Sequence, residues 1–161
     1  MKYIKYLLLL NLVYILGGMN CSVQKSNTKK TVEIGTPFQG GIVFYLFQEG
    51  DNGYRPGELH GLIATTEDQA TEIEWGCYGA QIKGANGTII GTGAQNTLAI
   101  LASCNEAGIA ARACAELVLE GYDDWFLPSK DELNLLYLNK DVITNLGDFY
   151  YWSSTGYGGF N

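Results

Sequence analysis

The run "DWFLPSKDELNLLY", Asp124 to Tyr137, constrains the fold more than any other stretch of this 161-residue chain. Ser129 and Glu132 stand three apart, the spacing of a capping box. In that motif the Ser129 hydroxyl accepts from the N3 amide while the Glu132 carboxylate reaches back to the Ser129 amide. Pro128 ends the preceding segment and biases Leu127 away from helix. Asp131 and Glu132 then sit at the positive end of the helix dipole. Leu133, Leu136 and Tyr137 fall at i, i+3 and i+4, the stripe of a helix docked on a core. The residues before the proline, Trp125 to Leu127, read as a core strand. The acids here are explained by architecture, and Asp123 and Asp124 by a solvated turn.

Upstream, "GGIVFYLFQ" (Gly40 to Gln48) reads as a buried strand and "HGLIATT" from His60 as its return. Turn chemistry at Asp51–Gly53 and Pro56–Gly57 joins them as a hairpin. "WGCYGAQIKGANGTIIGTGAQNT", Trp75 to Thr97, is a long ordered loop with at most a short strand at Thr88–Ile90. Asn96 or Thr97 is the expected cap of a helix "LAILASC". A second helix is expected over about Ile109 to Leu119, with Ala110, Ala113, Cys114, Leu117 and Val118 on one side and Gly121 as its stop. "YYWSST", from Tyr150, reads as a further strand containing Trp152.

The N-terminus is different in kind. Lys2 and Lys5 precede the uncharged run "YLLLLNLVYILGG" (Tyr6 to Gly18), too short for a transmembrane helix and suited to a signal-peptide core. Gly17 and Gly18 suit a lipobox before Cys21, whereas Met19 and Asn20 do not. "SVQKSNTKKT" beyond it is a polar tether. The expected organisation is therefore a signal peptide over 1–20, a lipidated tether over 21–33 and one domain over 34–161. That places the protein lipid-anchored in a bacterial cell envelope, at the outer membrane or cell surface, with secretion as the second choice.

The formal charge is −7, and −9 once Lys2 and Lys5 are removed. Such acidity and the lack of a basic stripe argue against nucleic acid and against anionic membrane surfaces, leaving membrane attachment to the N-terminal lipid. Export permits a disulfide. Cys104 and Cys114, ten apart on consecutive helical segments, are favoured over Cys77–Cys104, which leaves Cys77 unpaired.

Candidate chemistry is sparse. His60 is the single histidine and reads as structural; a Cys77–His60 nucleophile pair lacks a supporting motif. "GANGTIIGTG" lacks the ending of a P-loop, and turns explain its glycines. Asp51, Asn52 and Glu58 do not match an EF-hand. No cysteine pair suits a structural zinc, and no cofactor is implied. The expectation is no catalytic residues and no metal ligands.

The quoted elements, in the order "GGIVFYL", "HGLIATTEDQ", the glycine loop, "GYDDWFLPSKDELNLLY" and "YYWSST", resemble the domain family named after the C-terminal domain of the Legionella collagen-like protein, over about Gly40 to Thr155. Members of that family are exported bacterial proteins, often lipoproteins, and the namesake domain is implicated in adhesion to glycosaminoglycans. "LPSKDEL" also resembles an element of C-type-lectin-like folds, including formylglycine-generating enzymes. The resemblance implies an α+β, C-type-lectin-like fold: a small antiparallel sheet, two or three short helices and a long glycine-rich loop. Trp125, Pro128, Ser129, Glu132 and Trp152 are its structural signature. The family pattern continues past "WSST", so either a shortened domain or a fragment is expected, the fragment leaving a sheet edge and hydrophobic surface exposed.

The expected function is a non-catalytic binding or adhesion domain for carbohydrate or protein. Acidity disfavours sulfated polyanions, and a neutral glycan stacked on Trp75, Tyr78 or Tyr157 fits better. The alternative is an interaction subunit of an envelope assembly; an enzyme with an unrecognised site is the remote third.

Overall fold

The computed structural model describes residues 6–8, 32–80, 82–147 and 149–156. It is a small α+β fold. Five short strands, β1 (Tyr6–Leu8), β2 (Pro37–Phe38), β3 (Gly41–Leu46), β4 (Gly61–Ala64) and β5 (Trp125–Phe126), form an antiparallel sheet in the order β2-β3-β4-β1-β5. Three helices accompany it: α1 (Gly93–Ser103), α2 (Ala110–Ala115) and α3 (Lys130–Leu138).

The expected hairpin is β3 and β4. Val43 pairs with Ile63 and Tyr45 with Leu62, so the register shifts by one at the buried Phe44. Alternation along the strands loads both faces of the sheet. Leu62, Ala64 and Phe126 join Phe44, Leu136 and Ile143 on the side of α3, while Ile63 and Trp125 join Val43 on the other. Side chains on both faces of β4 and β5 are buried, which is why these segments read as continuous apolar runs.

The helices depart from expectation in instructive ways. Helix α1 starts at Gly93, ahead of the expected caps Asn96 and Thr97. Both residues lie inside the helix and are buried, because their polar groups have other work. Thr97 Oγ1 donates to the carbonyl of Gly93 and accepts the Leu127 amide, while Asn96 bonds the backbone of Gly87. Helix α2 ends at Ala115, well short of Leu119, and Val118 is exposed. Tyr150–Thr155 contributes no named strand, and Thr88–Ile90 is a bend and turn rather than a strand.

The disulfide expectation is corrected. Cys77 bonds Cys104, with Cα atoms 5.5 Å apart, and Cys114 is a buried cysteine outside the bridge. The reason lies in packing. Cys104 faces Ile100, Ile109 and Ala85 beside the glycine-rich loop, whereas Cys114 faces Leu127 and Ala110 beneath β5. The two cysteines belong to different clusters and do not meet.

Of the N-terminal expectations, Tyr6–Leu8 lies in the sheet as β1, while Cys21 and the tether up to Thr31 lie outside the described residues. No helix among the described residues is long and apolar enough to cross a membrane.

Candidate functional site

Helix α3 begins as the sequence requires. Ser129 Oγ accepts the Glu132 amide at 3.4 Å and the Glu132 carboxylate accepts the Ser129 amide at 2.7 Å. Glu132 also does something the motif does not announce. Its other oxygen accepts the Gly91 amide at 2.8 Å, 41 residues away in the glycine-rich loop, and the Gly93 amide is bonded as well. The side chain is wholly buried, and burial raises its pKa above the usual carboxylate range while the Ser129, Gly91 and Gly93 amides pull it down. Gly93 must lack a side chain here, since a Cβ would fall on the Glu132 carboxylate. At Gly91 a Cβ would strike the Asn52 carbonyl, and its φ of +83° also favours glycine. The opening motif is therefore a latch between helix and loop.

A second seam holds the residues around "YWSST". Trp75 Nε1 donates to the Ser153 carbonyl at 2.7 Å, and Trp152 Nε1 donates to the Ile73 carbonyl at 2.9 Å. Thr155 Oγ1 donates to the Gly87 carbonyl at 2.7 Å and Asn96 Nδ2 to Ser154 Oγ at 3.2 Å. Trp125, Pro128, Ser129 and Glu132 are all buried, and Trp152 half-buried, so the signature residues are structural supports.

With α3 fixed from beneath, its outer face forms one wall of a groove of about 760 Å³. Lys130, Asp131, Asn134 and Tyr137 line this wall, with Lys140 just beyond the helix and the buried Leu136 at the base. The opposite wall is Leu146, Gly147 and the run Phe149–Tyr151. Tyr137, Phe149 and Tyr150 are 60%, 58% and 85% exposed, large apolar surfaces gathered at one place. Lys140 Nζ stands 5.1 Å over the Tyr137 ring, a cation–π contact that orients both. Tyr151 is turned inward, its hydroxyl accepting the Gly147 amide at 3.0 Å. All 17 acids of the chain lie beyond residue 32, against five basic residues there, and two of those five, Lys130 and Lys140, border this groove.

The expected stacking residues fall elsewhere. Trp75 is half-buried and committed to the Ser153 carbonyl, Tyr78 is fully exposed beside the disulfide, and Tyr157 lies outside the described residues. Sequence reading placed Tyr137 in the core stripe, but it points outward while Leu136 takes the buried position. The signal for the groove was "FYYW", Phe149 to Trp152: adjacent aromatics cannot all face one core.

The other candidates resolve into structure. Cys77 is consumed by the disulfide, so it offers His60 no thiolate. His60 is buried with Nε2 2.7 Å from Glu58 Oε2. Asp51 Oδ2 accepts from the Tyr45 hydroxyl and the Gln48 amide, both at 2.7 Å, and Asn52 Nδ2 donates to the Gly91 carbonyl. Burial and the Asp51 partner push the Tyr45 phenol up to about 12. Burial raises Asp124 too, with Asp123 adding to it. Among the described residues no group of three or more His, Cys, Asp or Glu is placed to hold a metal ion.

No family model, curated protein or solved structure matches the chain.

Proposed function

We propose that this protein is an exported, non-catalytic binding module of the C-type-lectin-like kind, lipid-anchored through Cys21 in a bacterial envelope, whose groove along α3 takes a carbohydrate chain. The observation that carries the reading is the juxtaposition of three exposed aromatic rings, Tyr137, Phe149 and Tyr150, with the polar ends of Lys130, Asp131, Asn134 and Lys140. Aromatic faces bury sugar CH groups, while amide, carboxylate and ammonium groups satisfy hydroxyls. The resemblance of the "DWFLPSKDEL" and "YWSST" elements to the Legionella collagen-like domain family supports an adhesive role. The excess of acids elsewhere on the domain disfavours a sulfated polyanion, since long-range repulsion would oppose its approach. Neutral glycans fit the groove better than those of the namesake.

The test is a glycan array probed with the soluble domain, followed by calorimetric titration of each hit against Tyr137→Ala and Tyr150→Ala. Both side chains are exposed, so the variants keep their stability, and binding weakens by about five- to thirtyfold for each lost stacking ring, as for a contact worth about 1–2 kcal/mol. No binding at millimolar saccharide, or binding indifferent to both variants, refutes the assignment.

A further inference from the structure

The groove along α3 has two kinds of lining. Its polar side chains gather at one end: Lys130, Asp131 and Asn134 fall within about the first turn and a half of the helix. The one other charge in the lining, Lys140, has its Nζ 5.1 Å over the Tyr137 ring. The rest is apolar. Leu133, Leu146 and Tyr151 are half-buried and pack with the wholly buried Leu136 in one cluster, a continuous hydrocarbon floor. The Tyr151 hydroxyl is engaged by the Gly147 amide. Phe149 is exposed at the rim of this floor, and its ring lies so close to Gly147 that a Cβ there would overlap it. Only glycine at 147 lets that ring rest against the wall.

A saccharide carries hydroxyls around its edge. Laid over Leu133 and Leu146, those hydroxyls would leave water and gain no partner, which is unfavourable for each one buried. A sugar stacked on Tyr137 beside Asp131 and Asn134 meets polar groups instead, and leaves the floor to something without hydroxyls. The volume of about 760 Å³ lies in the upper part of the range of small-molecule sites and has room for both parts. We propose that the ligand is a glycolipid-type glycoconjugate. Its neutral saccharide head lies over Tyr137 among Lys130, Asp131 and Asn134, and its alkyl chain runs along the floor of Leu133 and Leu146 under Phe149. This inference rests on the carbohydrate reading of the groove and adds the apolar half of the ligand to it.

The test is calorimetric titration of the full chain, in detergent-free buffer, with methyl, butyl and hexyl glycosides of glucose, galactose and N-acetylglucosamine below their micelle concentrations. The phenyl glycosides test an aryl group in place of the chain, and a hexyl ether of triethylene glycol tests the chain without sugar. For at least one sugar the hexyl glycoside binds about tenfold or more tighter than the methyl glycoside, each buried methylene contributing about two- to fourfold. The gain comes with a more negative heat-capacity change, the mark of apolar burial. Phe149→Ser, and Gly147→Ala through displacement of the Phe149 ring, shrink the hexyl-to-methyl ratio. Asn134→Ala lowers both affinities and keeps the ratio. Equal binding of methyl and hexyl glycosides overturns the alkyl chain and leaves the carbohydrate reading standing. A gain for phenyl with none for hexyl, or a ratio indifferent to both Phe149→Ser and Gly147→Ala, also overturns the chain alone. Binding of the hexyl ether as tight as that of the hexyl glycosides, or no glycoside binding at millimolar concentration, overturns both readings.

Discussion

Replacing Glu132 by Gln separates the capping role of this residue from its role as a latch. The carboxylate offers acceptors on both sides: one oxygen to the Gly91 amide at 2.8 Å, the other to the Ser129 amide at 2.7 Å. Glutamine keeps the volume but turns one acceptor into an NH₂ facing an N–H. A buried donor without an acceptor costs about 1–3 kcal/mol, and the new NH₂ adds a second unpaired group, so Glu132→Gln should cost about 2–3 kcal/mol. For a domain of this size that corresponds to a Tm lower by about 6–12 °C. The pH dependence carries the sign. Burial raises the folded-state pKa of Glu132 above its unfolded value, so the folded chain holds the proton more tightly. The stability this gives is fully present below about pH 4.3, the ordinary glutamate value, and is lost as pH rises through the folded pKa. A protonated carboxyl still has an acceptor on each oxygen, which the amide lacks. The stability gap between wild type and Glu132→Gln is therefore widest near pH 4 and narrows toward pH 7. Urea unfolding followed by tryptophan fluorescence across that range measures it. A variant as stable as wild type, or a gap that widens with pH, refutes the reasoning.

Three further outcomes follow from the same geometry. Reduction of the Cys77–Cys104 bridge, or Cys104→Ser, should destabilise the domain by about 3–4 kcal/mol from the entropy of its 27-residue separation, whereas Cys114→Ser leaves the bridge intact by non-reducing mass spectrometry. The Tyr45 phenol should titrate near 12 in an ultraviolet absorbance titration, and Asp51→Asn should bring it down by removing the negative charge beside it. Asn96→Ala should cost about 1–3 kcal/mol in denaturant unfolding, because it removes the acceptor of the Gly87 amide and the donor to the buried Ser154 hydroxyl, while the Gly87 carbonyl keeps Thr155 Oγ1.

Local signals in the sequence translate directly into structure where one element decides the outcome. The capping box at Ser129 and Glu132 forms as its spacing dictates, and the apolar runs around Val43 and Ile63 become paired strands. What the sequence conceals is set by distant partners. Asn96 and Thr97 look like helix caps by residue type, yet their partners at Gly87 and Leu127 draw them into the helix interior. Cys104 chooses Cys77 over Cys114 because α1 and α2 turn those side chains to different clusters. The groove was hidden for a related reason. Tyr137 fits a helical core stripe by spacing, and only the packing of the neighbouring Leu136 decides that the tyrosine faces out. Trp75 and Tyr78 lie outside the groove along α3, Trp75 with its Nε1 on the Ser153 carbonyl and Tyr78 exposed.

The tryptophan seam also sets a timetable. Its bonds join residues 78, 79 and 68 positions apart, from Trp75 to Ser153, Ile73 to Trp152 and Gly87 to Thr155. Contacts of that span close large loops before they return any energy, and topologies built on them fold in milliseconds to seconds rather than microseconds. A chain emerging from the ribosome cannot complete the seam until Trp152 to Thr155 are available, so the glycine-rich loop is expected to stay open through most of synthesis. Stopped-flow refolding of the oxidised domain measures it, and a microsecond folding phase that buries Trp75 and Trp152 together would contradict it.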